Sequence, residues 1–360
     1  MYILTIYDMN NYGNRLQNYA LSEVLSSYGD VYTIRSYPNI LSSFDYIKYL
    51  FSYVKNMIKR IVFSRDSSAK ALLYKRTCRN VLFTKKNIIS DSFYTSYTGL
   101  KGKAEKDAQI VIGSDQVWNY QWISHSDLCF RLCSFSCSSK NIAYAASFGV
   151  SEINDEARLI FRKYLPRLKA ISVREDRGAE LVREMTGLAA TVVLDPTLML
   201  TADKWLEITE GFVPDNDRYV LTYFLGRPSD EQERDIQAYA KAYGCRVRRM
   251  LDLRDKETYV AGPQDFVELF SKAQYVFTDS YHACCFSILF HKQFTVFNRA
   301  GMTGKSSMNS RMETLFRLFD LDSVMMDSGL APEIDYAKVD RLLDQHRRES
   351  QAWLDKAMEE

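Results

Sequence analysis

The stretch MYILTIYDMNNYGNRLQNYALSEVLSSYGDVYTIRSYP, residues 1–38, decides the fold. Its apolar run Tyr2 to Tyr7, closed by Asp8, predicts a short buried strand, and a polar loop follows. From about Arg15 to Tyr28 the apolar residues recur at helical spacing, which predicts a helix. Val31 to Ser36 offers a second strand, and Pro38 ends it because proline cannot donate to a β-ladder. A strand, a crossover helix and another strand in that order imply a parallel sheet, with ligand sites at its carboxyl edge.

The alternation continues outward. Strand signals recur at Gln109 to Ile112, Asn141 to Ala146, Ala170 to Val173 and Thr191 to Leu194, until Asp195-Pro196-Thr197 breaks the pattern. A second series runs through the strand Tyr219 to Leu225, the helix Glu231 to Tyr243 and the strands Arg246 to Leu251 and Tyr275 to Thr278. Ile334 to Met358 reads as a charged terminal helix. The 360 residues exceed the ~250–300 at which single cores stop growing, so a division near residue 200 is expected. The fold class is therefore α/β: two Rossmann-like domains, 1–200 and 201–360, in a GT-B-like arrangement with a C-terminal helix and ligands in the cleft between them.

The composition, 46% hydrophobic and 26% charged, is that of a globular protein, and a net charge of +2 argues against a nucleic-acid partner. Charge is uneven, however. Between Phe51 and Ser90 ten basic residues face the single acid Asp66, within a basic amphipathic segment spanning 44–90. Apolar residues at helical spacing from Phe44 to Val62, with Lys55, Lys59 and Arg60 between them, support two readings: a helix packed on its own domain, or a contact with an anionic membrane surface. Seven cysteines, an odd number, with no secretory pattern at the N-terminus and no membrane-length apolar run, place the chain in the cytoplasm, with the inner membrane face as the site of any such contact.

Four segments carry the candidate chemistry. Asn11-Tyr12-Gly13-Asn14 opens the first helix, where unpaired N–H groups suit an anion and Gly13 permits an unusual backbone angle; a plain turn and cap is the alternative. The three-glycine dinucleotide fingerprint is missing, which excludes a nicotinamide or flavin reading on this basis. Ser114-Asp115-Gln116-Val117-Trp118 follows a strand: Ser114, Asp115 and Gln116 suit sugar hydroxyls and Trp118 a sugar ring, unless the segment is only a helix cap. Arg174-Glu175 ends another strand, where a guanidinium can clamp a carboxylate or phosphate or instead form a surface pair with Glu175 or Asp176. Thr278-Asp279-Ser280-Tyr281-His282 ends a fourth and puts His282 in the first turn of an apolar helix, beside the positive end of its dipole. Cys129, Cys133 and Cys137 lack the spacing of a metal cluster, Cys284-Cys285 reads as packing, and no metal is expected.

These segments, in this order, resemble the polysaccharide pyruvyl transferase family. NYGNRLQNYAL, IGSDQVWN, AYAASFG, ISVRE, VLDPTLML, VLTYFLG, FTDSYHACCFSILF and NSRMETLFRLFDL all look like its landmarks, over about 300 residues. The resemblance implies transfer of a pyruvyl unit from phosphoenolpyruvate, a substrate and not a cofactor, to a sugar of capsule, exopolysaccharide or cell-wall precursors, free or lipid-linked. The product is a cyclic ketal. It implies an acceptor side in the first domain and a donor side in the second, with Arg174 and His282 on the donor. Some members carry an arginine two residues before the histidine; here that residue is Ser280. Arg299, Lys305 and Arg311 are the basic residues nearest in sequence to replace it, and Asp115, Glu175 and Asp279 are the candidate bases. The rival readings are a GT-B glycosyltransferase using a nucleotide-sugar and a non-catalytic sugar- or anion-binding relative. No motif specifies the acceptor, the ketal stereochemistry or an oligomeric state.

Overall fold

The computed structural model describes residues 1–8, 10–35, 55, 67–91, 108–298 and 309–359. The expected helix over 44–62 lies outside the described residues except for Lys55, and Arg299 and Lys305 lie outside them too.

Seven parallel strands form the first sheet, in the order β3-β2-β1-β4-β5-β6-β7. They are β1 (Tyr2–Leu4), β2 (Tyr32–Ile34), β3 (Ser90–Asp91), β4 (Ile110–Ile112), β5 (Ile142–Ala146), β6 (Ala170–Val173) and β7 (Thr191–Val192). The second sheet, also parallel, has the order β12-β11-β10-β8-β9, from β8 (Tyr219–Tyr223), β9 (Arg246–Met250), β10 (Tyr275–Thr278), β11 (Gln293–Phe297) and β12 (Met325–Met326). β4, β5, β8 and β10 are buried along their whole length, the pattern of parallel strands covered on both faces. The helices that matter below are α1 (Tyr12–Leu25), α2 (Ala69–Asn87), α3 (Asp176–Thr186), α4 (Pro263–Lys272), α5 (Tyr281–Leu289), α6 (Asn309–Phe319) and α7 (Tyr336–Met358).

Several expected boundaries shift for local reasons. β1 stops at Leu4, whose carbonyl takes the last ladder bond from Gly113 N–H; beyond it the Thr5 hydroxyl donates to the Ser114 carbonyl and the Ile6 carbonyl accepts from Arg15. α1 starts at Tyr12, before the expected Arg15, because the Asn11 side chain accepts from Asn14 N–H and caps the helix there. It ends at Leu25, and a 3₁₀ turn continues to Tyr28. The strands β3, β11 and β12 carry no signal that the sequence reading used. β3 and β12 are two-residue edge strands at the ends of their sheets, too short to show a period.

The two sheets are joined through one core. Tyr12, Leu16 and Tyr19 of α1 share a cluster with Tyr223, Phe266 and Phe286 of the second domain. The Tyr12 hydroxyl donates to the Ala261 carbonyl at 2.8 Å, its ring lies 5.5 Å from Phe266, and Arg79 of α2 pairs with Asp265 of α4. At the other end of the chain α7 crosses back. Leu354 and Ala357 pack among Ile3, Leu21 and Val111, the Ser350 hydroxyl accepts from Leu194 N–H, and Arg347 donates to the carbonyls of Leu198 and Leu200. Two parallel α/β sheets with a cleft between them and a terminal helix returning to the first make the arrangement GT-B-like.

Candidate functional site

A cavity of about 250 Å³ opens where the carboxyl ends of both sheets meet. The first domain supplies Asp8, Asn11 and Asn14, from the loop after β1 and the start of α1, with Asp115 and Gln116 after β4. The second supplies Tyr223 at the end of β8 and Leu225 after it, Asp279 to His282 after β10, and Arg311 and Met312 from α6. Strand ends converge here because every strand in each sheet runs the same way, so all the loops that leave its carboxyl edge share one side.

His282 stands in the first turn of α5, as its setting predicts, with 7% of its surface exposed. Its Nε2 has no hydrogen-bond partner among the described residues and lies 3.9 Å from Asp195 Oδ2. The other face of the ring lies against Gly13, where a Cβ would come within 2.1 Å of Nδ1. Gly13 is thus required for space. It sits in ordinary helix, and the unusual backbone angle expected of it is not there. Burial above all pushes the imidazole pKa below its usual value; Asp195 and Asp115 pull it back, and Arg174 and Arg311 reinforce the drop.

Arg174 departs from the expected clamp. It is buried behind the cavity, and its Nη1 and Nη2 donate at 2.7 Å to Asp195 Oδ2 and Asp115 Oδ1. The guanidinium carbon lies 4.4 Å from the centre of the Tyr281 ring. A cation fully removed from water must be matched by anions of the protein itself, and the planar fork is occupied by these two carboxylates. Burial works to lower its pKa, but Asp115 and Asp195 outweigh it and hold the group firmly charged. The same pairing holds both carboxylates below the usual range against the upward push of burial.

Other expected contacts are redirected inward. Trp118 is fully buried in the core of the first domain, its ring 5.1 Å from Phe148, so it offers no face to a sugar. Ser114 is buried and its hydroxyl donates to Asp195 Oδ2 at 3.0 Å. Glu175 is buried off the cavity, its Oε1 accepting from the Ser147 hydroxyl and Phe148 N–H, and burial pushes its pKa up. Thr278 is likewise interior and donates to the Tyr223 carbonyl. Asp279 lines the cavity, but its two oxygens accept from Leu225 N–H and Gly226 N–H and fasten the loop after β8.

Asn11, Asn14, Asp115, Gln116, Asp279, Ser280, His282 and Arg311 of the sequence candidates do come together on the cavity. Arg311 is 6% exposed, its Nε has no hydrogen-bond partner among the described residues, and burial, with Arg174 adding to it, lowers its pKa to about 10. Asp8, Asp195 and Trp122 are not among the sequence candidates. Asp8 is the first polar residue beyond the apolar run of β1, a signal read only as a strand end. Asp195 stands in the sequence as the breaker of the strand pattern and inside VLDPTLML, with no role attached, yet it caps the one-turn helix Pro196–Met199 and links Arg174 to His282. Trp122, on the cavity rim, had no distinguishing pattern.

Comparison with known proteins gives two kinds of finding. Among solved structures, the wall teichoic acid polymerase TagF is 13% identical, with 99% of this chain and 82% of that one covered at a TM-score of 0.45. The UDP-GlcNAc 2-epimerase of Methanocaldococcus jannaschii, in complex with UDP-GlcNAc and UDP, is 10% identical over 96% of this chain and 98% of its own at 0.43. No curated relative matches the chain. Residues 11–301 match the family described as polysaccharide pyruvyl transferase, a span that contains His282, Gly13 and the whole Arg174 network. The chain belongs to the polysaccharide pyruvyl transferase family.

Proposed function

We propose that the protein transfers the pyruvyl unit of phosphoenolpyruvate to a sugar of a surface polysaccharide or its precursor, closing a ketal across two hydroxyls. One observation carries the reading. His282 Nε2 and Arg311 Nε are both buried, both without a hydrogen-bond partner among the described residues, and both on residues lining this cavity. Buried polar atoms left without a partner are costly, and a small anion that accepts from Arg311 and from the imidazole in its protonated form removes the cost.

Phosphoenolpyruvate fits that demand. Arg311 supplies the cation missing at Ser280, and the N–H groups opening α5 face the same anion. A dianion beside His282 favours imidazolium, which then delivers its proton to the vinyl carbon. Positive charge appears at the neighbouring carbon as the double bond is used up, and a sugar hydroxyl adds there with loss of its proton. The C–O bond to phosphate breaks, phosphate leaves with the bonding pair, and the second hydroxyl adds and loses its proton. The product is a ketal carrying a methyl and a carboxylate. Asp115, kept ionised by Arg174, is a weak base but a good counter-charge to the cationic carbon. Asp8, which lines the cavity, is better placed to take a hydroxyl proton.

No helix among the described residues is long and apolar enough to cross a membrane. Within the basic segment 44–90, Arg76, Arg79 and Lys86 are engaged by Tyr259, Asp265 and Glu210 of the second domain, and its remaining cations favour work in the cytoplasm at the inner membrane face, on a lipid-linked acceptor.

The test combines ligand and variant. Phosphoenolpyruvate raises the melting temperature of the wild-type protein while a nucleotide-sugar does not. His282→Ala lowers turnover, read as phosphate release in the presence of acceptor, by about 10²–10⁴-fold. Stabilisation by the nucleotide-sugar alone would turn the assignment to glycosyl transfer, and near-normal turnover of a folded His282→Ala protein would remove His282 from it.

A further inference from the structure

We infer that Trp122 is the platform for the acceptor, a neutral hexopyranose whose apolar face lies on the indole. This rests on the proposed transfer to a sugar. Trp122 lines the same cavity as His282 and Arg311, yet 63% of its surface is exposed. Trp118 and Trp205, by contrast, are fully buried. Single exposed apolar residues are common on protein surfaces and mean little alone. What sets Trp122 apart is how firmly its backbone is held while its ring is left uncovered.

The ring belongs to the 3₁₀ turn Tyr120–Trp122. Its neighbours Tyr120 and Ile123 both pack against the core cluster of the first domain. Ahead of the turn stands Asn119, a buried residue whose Oδ1 accepts from Gln121 N–H at 3.2 Å and whose Nδ2 donates to Gln116 Oε1 at 3.0 Å. Thus the loop is anchored before, within and after the turn, and Gln116 is itself on the cavity. The indole itself stays largely exposed, with a face open to another surface.

A pyranose has the matching chemistry. Its axial C–H groups form an apolar patch that packs on a π face, and its hydroxyls at the ring edge meet hydrogen-bonding groups. Gln116 and Asp8, on the same cavity, supply those. Asp115 is already paired with Arg174, but the carboxylate of Asp8 on the same cavity disfavours an acidic sugar, so the ring is neutral, and the anionic partner is directed to His282 and Arg311.

Titration of the full-length protein with the methyl pyranosides of glucose, galactose and mannose, followed by indole fluorescence and calorimetry, tests this. Methyl glucuronopyranoside and uridine monophosphate serve as competitors of other chemistry. At least one neutral glycoside is expected to bind the wild type. Trp122→Ala weakens that binding by about tenfold or more, and Trp122→Phe restores most of it, since the loss is of an aromatic face. Phosphoenolpyruvate affinity stays unchanged in both variants. Equal glycoside binding by wild type and Trp122→Ala overturns the platform, as does a wild type that binds no neutral glycoside or prefers the uronate or the nucleotide. Glycoside binding that depends on Trp122 without any binding of phosphoenolpyruvate leaves the platform standing and removes the donor assignment.

Discussion

His282 and Gly13 are one unit, although nearly the length of both domains separates them in sequence. A methyl group at position 13 would meet the imidazole at 2.1 Å, so the ring must move in Gly13→Ala even though alanine suits a helix better than glycine. The expected outcome is a folded protein destabilised by about 1–3 kcal/mol, the cost of overpacking a buried ring, that turns over about 10²-fold more slowly, because displacement of a reacting group by an ångström has that effect. Thermal melting and phosphate release separate the two. Arg174 behaves differently. Replacing it with methionine leaves Asp115 and Asp195 buried and unpaired, and urea unfolding should show a loss of about 3–5 kcal/mol. At this scale the sequence names His282 and Asp115 by their place after a strand and Arg311 by its nearness to the histidine helix, and the fold brings all three to one cavity. The sequence misplaced Arg174, Ser114 and Trp118, since the side of a strand-end loop on which a residue falls depends on φ and ψ values that composition does not reveal.

Each element does two tasks. α1 caps the site with Asn11 and Asn14 and buries Tyr12, Leu16 and Tyr19 in the core shared with the second domain. α5 is buried on all sides, so its N-terminus is fixed against the cavity and His282 has no freedom to swing out. α7 fastens the end of the chain to its beginning through Leu354, fully buried against the first sheet. Leu354→Ala should therefore destabilise the protein by about 2–5 kcal/mol, read from denaturant unfolding, with turnover of the folded fraction unchanged. Long periodic elements were legible. α7 begins at Tyr336 against an expected Ile334, and β6 and β10 have the bounds that the sequence predicts. The two-residue strands β3 and β12 were not, because pairing alone defines them.

For the whole molecule, the buried charges set how stability follows pH. His282, Asp115 and Asp195 all have folded-state pKa values below their unfolded ones. In each case the unfolded chain takes up protons that the native state refuses, so stability is lost as pH falls: first near 6.5 for His282, then from about 3.8 downward for the two aspartates. Glu175, raised by burial, runs the other way and loses its contribution as pH rises. Urea unfolding at pH 7 and pH 5.5 should show the native state weakening at the lower pH, with the difference reduced in His282→Gln. The sequence by itself determined the class of fold, the succession of parallel strands and crossover helices, and the histidine at a helix start, because hydrophobic period and local caps are properties of neighbouring residues. Only the tertiary structure decided that Arg174 faces inward to two aspartates, that Gly13 is room for an imidazole, and that Arg311 and Trp122 share a cavity. Those are contacts between segments far apart along the chain, and they exist only once two sheets have packed edge toward edge.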